Sequence, residues 1–150
     1  MPTQLNRTRT SRLIMKVLSS SHSFWYRISG GRLGGRMNGM DVLLLTTRGR
    51  KSGKSRTTPL QYLADGDAYV VVASNAGSDR HPGWWRNLES DPHATVQMQA
   101  KKLRVRAEQA SSDEKARLWS RLTAMYSGYD DYKKATSREI PVVILHPDAP

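Results

Sequence analysis

Six short runs of apolar or alternating residues, most of them joined by turn signals, limit what this chain can fold into. Val42 to Thr47 is a continuous apolar strand pattern, Arg56 to Leu63 follows a glycine-rich turn, and Ala68 to Ser74 contains Tyr69-Val70-Val71-Val72-Ala73. Asp65-Gly66 between the last two is a hairpin signal. Ala94 to Met98 and Leu103 to Ala107 alternate around Lys101-Lys102, and Pro141 to Leu145 supplies a sixth strand. Helical spacing is confined to a short piece at Pro82 to Glu89 and a longer one from Ser112 to about Tyr126, with Ser112, Asp113 and Glu114 expected to cap its start. Parallel strands need long crossovers, usually helices, and this chain mostly offers tight turns. The pattern therefore predicts a mainly β, α+β molecule built as a small barrel of about six antiparallel strands.

The chain has 150 residues, of which 37% are hydrophobic, enough for one packed core. The division expected is an N-terminal part, residues 1–38, and a barrel domain, residues 39–150. In the first part Leu13, Ile14, Val17, Leu18, Phe24, Trp25 and Ile28 fall at helical spacing, with Arg12, Lys16 and Arg27 off the stripe. This basic amphipathic helix, residues 12–28, either packs on the barrel or rests on an anionic membrane surface. Gly30 to Gly35 reads as a connector. Cysteine is absent, which excludes disulfides and sulfur ligands. Lys16 breaks the apolar piece Leu13-Ile14-Met15 and no run approaches a membrane span of about 18 residues, so the sequence predicts a cytoplasmic protein, with contact to the inner face of the plasma membrane through the helix as a variant. The four histidines show no metal-ligand spacing, and no metal is expected.

Charge is distributed unevenly. Residues 1–64 hold 12 Lys or Arg against the single carboxylate Asp41, while residues 65–150 hold 12 of each sign, so the whole net charge of +11 belongs to the first part. Five bases crowd the turn Arg48-Gly49-Arg50-Lys51-Ser52-Gly53-Lys54-Ser55-Arg56. Backbone N–H groups and cationic heads held together in this way suit phosphate or carboxylate capture; a solvated hairpin without a ligand is the plain alternative. The turn is one residue short of P-loop spacing, and Arg56-Thr57-Thr58-Pro59-Leu60 continues as extended chain where a P-loop opens a helix, which excludes that motif. A second loop, Ser74-Asn75-Ala76-Gly77-Ser78-Asp79, leaves a strand end and runs into His81-Pro82-Gly83-Trp84-Trp85, whose indoles are either a ligand wall or core. Tyr126, Tyr129 and Tyr132 form a helical stripe of phenols if Gly128 does not interrupt it. At neutral pH such phenols donate hydrogen bonds or act as acids; packing is again the alternative.

Leu43-Leu44-Leu45-Thr46-Thr47, Gly49-Arg50-Lys51-Ser52-Gly53, Arg56, Pro59-Leu60, Ala73-Ser74, His81-Pro82-Gly83-Trp84, Asn87-Leu88 and the tail Tyr126 to Pro147 together resemble the deazaflavin-dependent nitroreductase family over roughly residues 39–147. The resemblance implies a split β-barrel of the FMN-binding, flavin-reductase type that binds coenzyme F420, a deazaflavin joined through a phosphodiester to an oligoglutamate tail. It assigns the anionic tail to Arg50, Lys51, Ser52, Lys54 and Arg56. It puts Pro59, Gln61, Ser74, Asn75, Ala76 and Gly77 against the ring, with His81 and Trp84 beside them. Trp84, Tyr126, Tyr129 and Tyr132 shape the acceptor pocket, Tyr129 being the expected proton or hydrogen-bond donor, with Tyr126 and Tyr132 as substitutes. The chain departs from many relatives in having Asn75 for lysine, Gln61 for an aromatic residue and Trp85 for tyrosine. The activity implied is hydride transfer from reduced F420 to a quinone, nitroaromatic or activated enone, by a monomer that binds no nucleic acid. The alternatives are an FMN-binding barrel, a nucleic-acid-binding barrel favoured by the net charge, and a non-catalytic deazaflavin carrier.

Overall fold

A computed structural model describes residues 36–37 and 40–149. The helix expected at 12–28, the connector at 30–35 and most of the first division lie outside the described residues. Eight antiparallel strands form one sheet: β1 (Arg36–Met37), β2 (Met40–Arg48), β3 (Ser55–Gln61), β4 (Leu63–Asp65), β5 (Ala68–Val72), β6 (His93–Met98), β7 (Lys101–Gln109) and β8 (Val142–Pro147). Their order is β1-β2-β6-β7-β8-β5-β4, with β3 also on β2. The count exceeds six because the run expected at Arg56 to Leu63 is two strands separated by Tyr62, and because β1 adds a two-residue hairpin arm on β2.

That division closes the barrel. From Arg48↔Ser55 to Val42↔Gln61, β3 pairs with β2, then the chain bends at Tyr62 and β4 pairs with β5 at the other end of the sheet. The Tyr62 N–H donates to the Asp41 carbonyl at 3.3 Å, and its ring meets Tyr69 edge-on, centroids 5.7 Å apart. Among the described residues β3 has a strand on one side only, so its other edge is open to them, which is where an interior proline such as Pro59 is tolerated.

Helix α1 (Gly83–Ser90) plugs the barrel: Trp84, Trp85 and Leu88 pack among Leu43, Leu45, Val71, Ala73, Val96, Val105, Val143 and Leu145. Helices α2 (Ser112–Met125) and α3 (Gly128–Ala135) cover the outer face of β5 and β8, where Val70, Val72, Val142 and Ile144 meet Leu118, Leu122, Tyr129 and Ile140. β5 and β8 are thus buried on both faces, the reason their sequences read as unbroken apolar runs.

Two expectations are corrected. The cap of α2 is Ser111, one residue earlier than expected: its Oγ accepts from the Glu114 N–H at 3.2 Å while the Glu114 carboxylate accepts from the Ser111 N–H at 3.1 Å. Ser112 already lies in the first turn. The tyrosine stripe is not one helix either, because α2 ends at Tyr126, extended at φ −147, and α3 starts afresh at Gly128.

The β4–β5 turn is tied to α2 by Asp65, which accepts from Arg117 at 3.0 and 3.3 Å and from Arg121 at 2.7 Å. Hydrogen bonds from Arg117 and Arg121 lower its pKa from 3.8 to about 2. A carboxylate whose folded pKa is depressed contributes stability above its unfolded value and loses it as pH falls through the folded one. The melting temperature of Asp65→Asn should therefore lie below that of the native chain at neutral pH, with the gap closing between about pH 4 and pH 2; thermal melts at several pH values measure it.

Candidate functional site

The basic turn is a preformed backbone loop. Gly49 N–H donates to the Lys54 carbonyl at 2.8 Å, Gly53 N–H to the Gly49 carbonyl at 2.7 Å, and Lys54 N–H to Ser52 Oγ at 3.2 Å. Gly53 adopts φ +70, and a Cβ on Gly49 would stand 2.7 Å from Ser52 Oγ, so both glycines are required by the turn. Among the described residues no carboxylate pairs with Arg50, Lys51, Lys54 or Arg56, all of which are exposed. Cations gathered without counter-charge repel one another in the empty site, and an anion relieves that repulsion.

Asn87, which the sequence reading placed only within the family motif, fastens this turn to α1. Its Oδ1 accepts from the Arg50 N–H at 3.1 Å and its Nδ2 donates to Thr47 Oγ1 at 3.0 Å, with Asn87 and Thr47 both buried. An amide on the same helical face as Trp84 and Leu88 was the legible signal, since a polar group on a plug needs partners.

The loop after β5 lies at the other end of α1. Asn75, Ala76 and Gly77 have φ of +45, +54 and +78, a single left-handed turn. The left-handed conformation costs Asn75 and Ala76 on the order of 1 kcal/mol each. Gly77 presses on α3, where a Cβ would stand 3.2 Å from Tyr132 Cα and 3.0 Å from Ala135 Cβ. Gly77 N–H donates to the Ser74 carbonyl at 2.9 Å and Ser78 N–H to the Asn75 carbonyl at 3.0 Å. The N–H groups of Asn75 and Ala76 have no acceptor among the described residues. Arg138, missed as a site residue, lies under the loop and donates to the carbonyls of Ser74 at 2.8 Å and Ser78 at 2.7 Å, and to His81 Nδ1 at 3.1 Å. His81 must then be unprotonated at Nδ1; burial and the charge of Arg138 lower its pKa.

Against this loop stand the three phenols, brought together although they are not one stripe. The Tyr126 and Tyr132 hydroxyls are 3.1 Å apart, and ring centroids are 5.1 Å between Tyr126 and Tyr129 and 6.4 Å between Tyr129 and Tyr132. A Cβ on Gly128 would stand 2.5 Å from Tyr126 Oη, so the absent side chain is what lets the Tyr126 ring fold back over α3. Tyr129 is 5% exposed and its hydroxyl has no partner among the described residues. Burial, then the oxygens of Tyr126 and Tyr132, raise its pKa to about 12. Trp84 and Trp85 are 7% and 6% exposed and pack in the core inside the barrel, while Tyr129 packs in the second core under the helices.

Turn, α1, loop and phenols therefore form a chain of contacts: Arg50 to Asn87, α1 back to His81, His81 to Arg138, Arg138 to Ser74, and Gly77 to Tyr132. Pro59 and Gln61 are half-buried on β3, whose open edge follows the turn. A separate groove of about 600 Å³ includes Arg48, Gly53, Ser55, His93 and Arg104, on the β6–β7 side of β2 and away from the phenols. Among the described residues no group of three His, Asp or Glu side chains could hold a metal.

The model of the F420H(2)-dependent quinone reductase family matches residues 19–147. The chain belongs to that family. It is 41% identical over 128 residues, 83% of this chain and 86% of the relative, to an F420H(2)-dependent quinone reductase of Mycobacterium tuberculosis. A second protein of that organism, provisionally given the same activity, is 45% identical over 106 residues, 71% of this chain and 89% of the relative. Among solved structures, an F420-H2 dependent reductase has 35% identity and TM-score 0.65, covering 70% of this chain and 93% of the other. Another, described as a domain-swapped dimer, has 32% identity and TM-score 0.65 and covers 83% and 98%. The Vibrio cholerae heme storage protein HutZ, at 16% identity and TM-score 0.57 over 73% of this chain and 82% of its own, shares the fold alone. The split barrel expected from the resemblance is the fold observed, and the family is an F420-dependent one as that resemblance implied.

The residues of this reductase-family chain fit an elongated anion with a planar head. Among the described residues they offer cations without a counter-charge at one end, N–H donors without an acceptor and a phenol without a partner at the other, and a strand edge without a neighbour between. Asn87→Leu should destabilise the fold by about 1–3 kcal/mol by stranding the Thr47 hydroxyl and the Arg50 N–H, read by urea denaturation. Gly128→Ala should displace the Tyr126 ring and disturb the phenol cluster with little change in global stability, visible as altered tyrosine fluorescence at an unchanged melting temperature.

Proposed function

We propose that this chain holds reduced coenzyme F420 along the open edge of β3 and works as an F420H(2)-dependent quinone reductase. The observation that carries the reading is the set of cations Arg50, Lys51, Lys54 and Arg56, unpaired among the described residues, at the start of that edge. When bound, the coenzyme supplies a hydride to an electron-poor acceptor, and the protein supplies position and electrostatics.

Arg50, Lys51, Lys54 and Arg56, with the Ser52 hydroxyl, hold the phosphodiester and the tail carboxylates, each charge-assisted hydrogen bond contributing roughly 1.5–3 kcal/mol in good geometry. Pro59 and Gln61 line the ring from β3; the Asn75 and Ala76 N–H groups face it from the loop, with Ser74 and Gly77 shaping that wall. His81 holds the loop from behind, and Trp84 supports α1 from inside the barrel. The Tyr129 hydroxyl, which has no internal partner, donates to the acceptor oxygen on which negative charge develops. With a pKa raised to about 12 it stays protonated at neutral pH, so it serves as a hydrogen-bond donor that keeps its proton. Tyr126 and Tyr132, already bonded to each other, confine the acceptor.

Nitroaromatics and activated enones belong to the same reading as electron-poor planar acceptors. A cytoplasmic location, with residues 12–28 bringing the site to membrane quinones, is part of the proposal; co-sedimentation with anionic liposomes, with and without those residues, tests it. The monomer expected from sequence is set against a relative described as a domain-swapped dimer, and sizing by light scattering decides between them.

Neutralising Arg50 and Lys51 to glutamine should weaken F420H(2) binding by roughly tenfold or more per residue, with the salt dependence of binding reduced; calorimetry showing native affinity would remove the basis of the assignment. Tyr129→Phe should lower turnover of a quinone while leaving the coenzyme Kd unchanged, measured by stopped-flow oxidation of F420H(2) beside equilibrium titration.

A further inference from the structure

Resting on that reading of the site, we infer that Arg138 is the positioning residue of the coenzyme loop, holding its carbonyls inward and so turning its free N–H donors toward the ligand. Arg138 precedes β8, and its guanidinium uses every nitrogen. Nε donates to the Ser78 carbonyl at 2.7 Å, Nη2 to the Ser74 carbonyl at 2.8 Å, and both Nη atoms to the Ala73 carbonyl at 3.2 Å. Nη1 also reaches His81 Nδ1 at 3.1 Å and the Glu139 carbonyl at 3.4 Å. Among the described residues no carboxylate takes this cation directly. Asp79, the nearby acid, is instead held by the Thr136 hydroxyl at 2.8 Å.

Such a set of acceptors explains how Asn75 and Ala76 stay left-handed. The carbonyls flanking the turn, Ala73, Ser74 and Ser78, are pinned to one planar fork, and the residues between them must complete a tight turn of one hand. A turn of one hand aligns its N–H groups as one turn of helix does, and those of Asn75 and Ala76 are the two left free. The arrangement also brings a positive charge behind a loop where Asn75 stands in place of a frequent lysine, so the cation comes from below the loop rather than from its tip.

Because arginine cannot accept a hydrogen bond, the contact with His81 exists only while Nδ1 is unprotonated. The groups facing His81 are Arg138 and Arg86, which oppose its protonation, and Glu89, which favours it. A histidine whose folded pKa lies below its unfolded value loses its contribution as pH falls from about 6.5 toward the folded value. The loop should loosen in that window.

Three variants test the inference: Arg138→Lys, Arg138→Gln and His81→Asn, the last placing an amide oxygen where Nδ1 accepts. Hydrogen exchange without coenzyme should show faster exchange at residues 73–81 in Arg138→Lys, since an ammonium cannot span three carbonyls. F420H(2) Kd should rise roughly tenfold or more in both Arg138 variants, with quinone turnover at saturating coenzyme changed far less. The native protein should lose coenzyme affinity below about pH 6.5, and His81→Asn should lack that acid limb. Unchanged loop exchange and Kd in Arg138→Lys, or an acid limb retained in His81→Asn, overturns the inference; should the Arg138 variants not fold, the His81→Asn profile decides alone. Were the native chain to take up no F420H(2) while loop exchange still rose in Arg138→Lys, the proposed function would fall and the loop staple would stand.

Discussion

The site depends on how the barrel is closed. One segment, β3 and β4, pairs with β2 and then with β5 by bending at Tyr62, and among the described residues β3 is flanked on one side only. The edge of β3 stays open between the basic turn and the loop after β5. Backbone donors and acceptors there are available to a ligand without breaking any ladder, and the residues proposed to hold the coenzyme lie along that line.

Polar fasteners hold the rim that the closure leaves. Asn87 binds the basic turn to α1 and Arg138 binds the loop to the segment before β8; both use side-chain groups to satisfy main-chain atoms that no sheet reaches. They are more exacting than apolar packing, because a missing partner leaves a desolvated group behind. The basic turn differs: its cations are exposed and, among the described residues, unpaired, so they shape the field toward a ligand.

Much of this was legible along the chain. The strands showed as apolar or alternating runs because β2, β5 and β8 bury one face or two, and the turn announced itself by five bases and two glycines. The start of α2 was displaced by one residue because Ser111 and Ser112 both suit a cap and only the reciprocal bond with Glu114 distinguishes them. The phenols were grouped as the structure has them, and the condition set on their stripe, an uninterrupted helix at Gly128, is not met. Spacing by three suggested one helix, whereas the chain breaks at Tyr126 and the cluster reforms through the gap at Gly128. For Trp84 the sequence left ligand wall and core both open, and the structure packs it in the plug, since a helix inserted into a barrel turns its largest apolar side chains inward.

What the sequence alone determined are the local quantities: where strands and turns fall, that the excess charge lies early in the chain, and that the motif set belongs with F420-dependent reductases. Those depend on residues near one another along the chain. Only the tertiary structure decided that Arg138, more than fifty residues from Ala73, Ser74, Ser78 and His81, is their common partner, and that of the three phenols Tyr129 is the one whose hydroxyl has no partner among the described residues. The physical reason is that a guanidinium has many geometrically equal carbonyls to choose from, and which of them it meets is settled by barrel closure and helix packing, neither of which leaves a pattern around Arg138 itself.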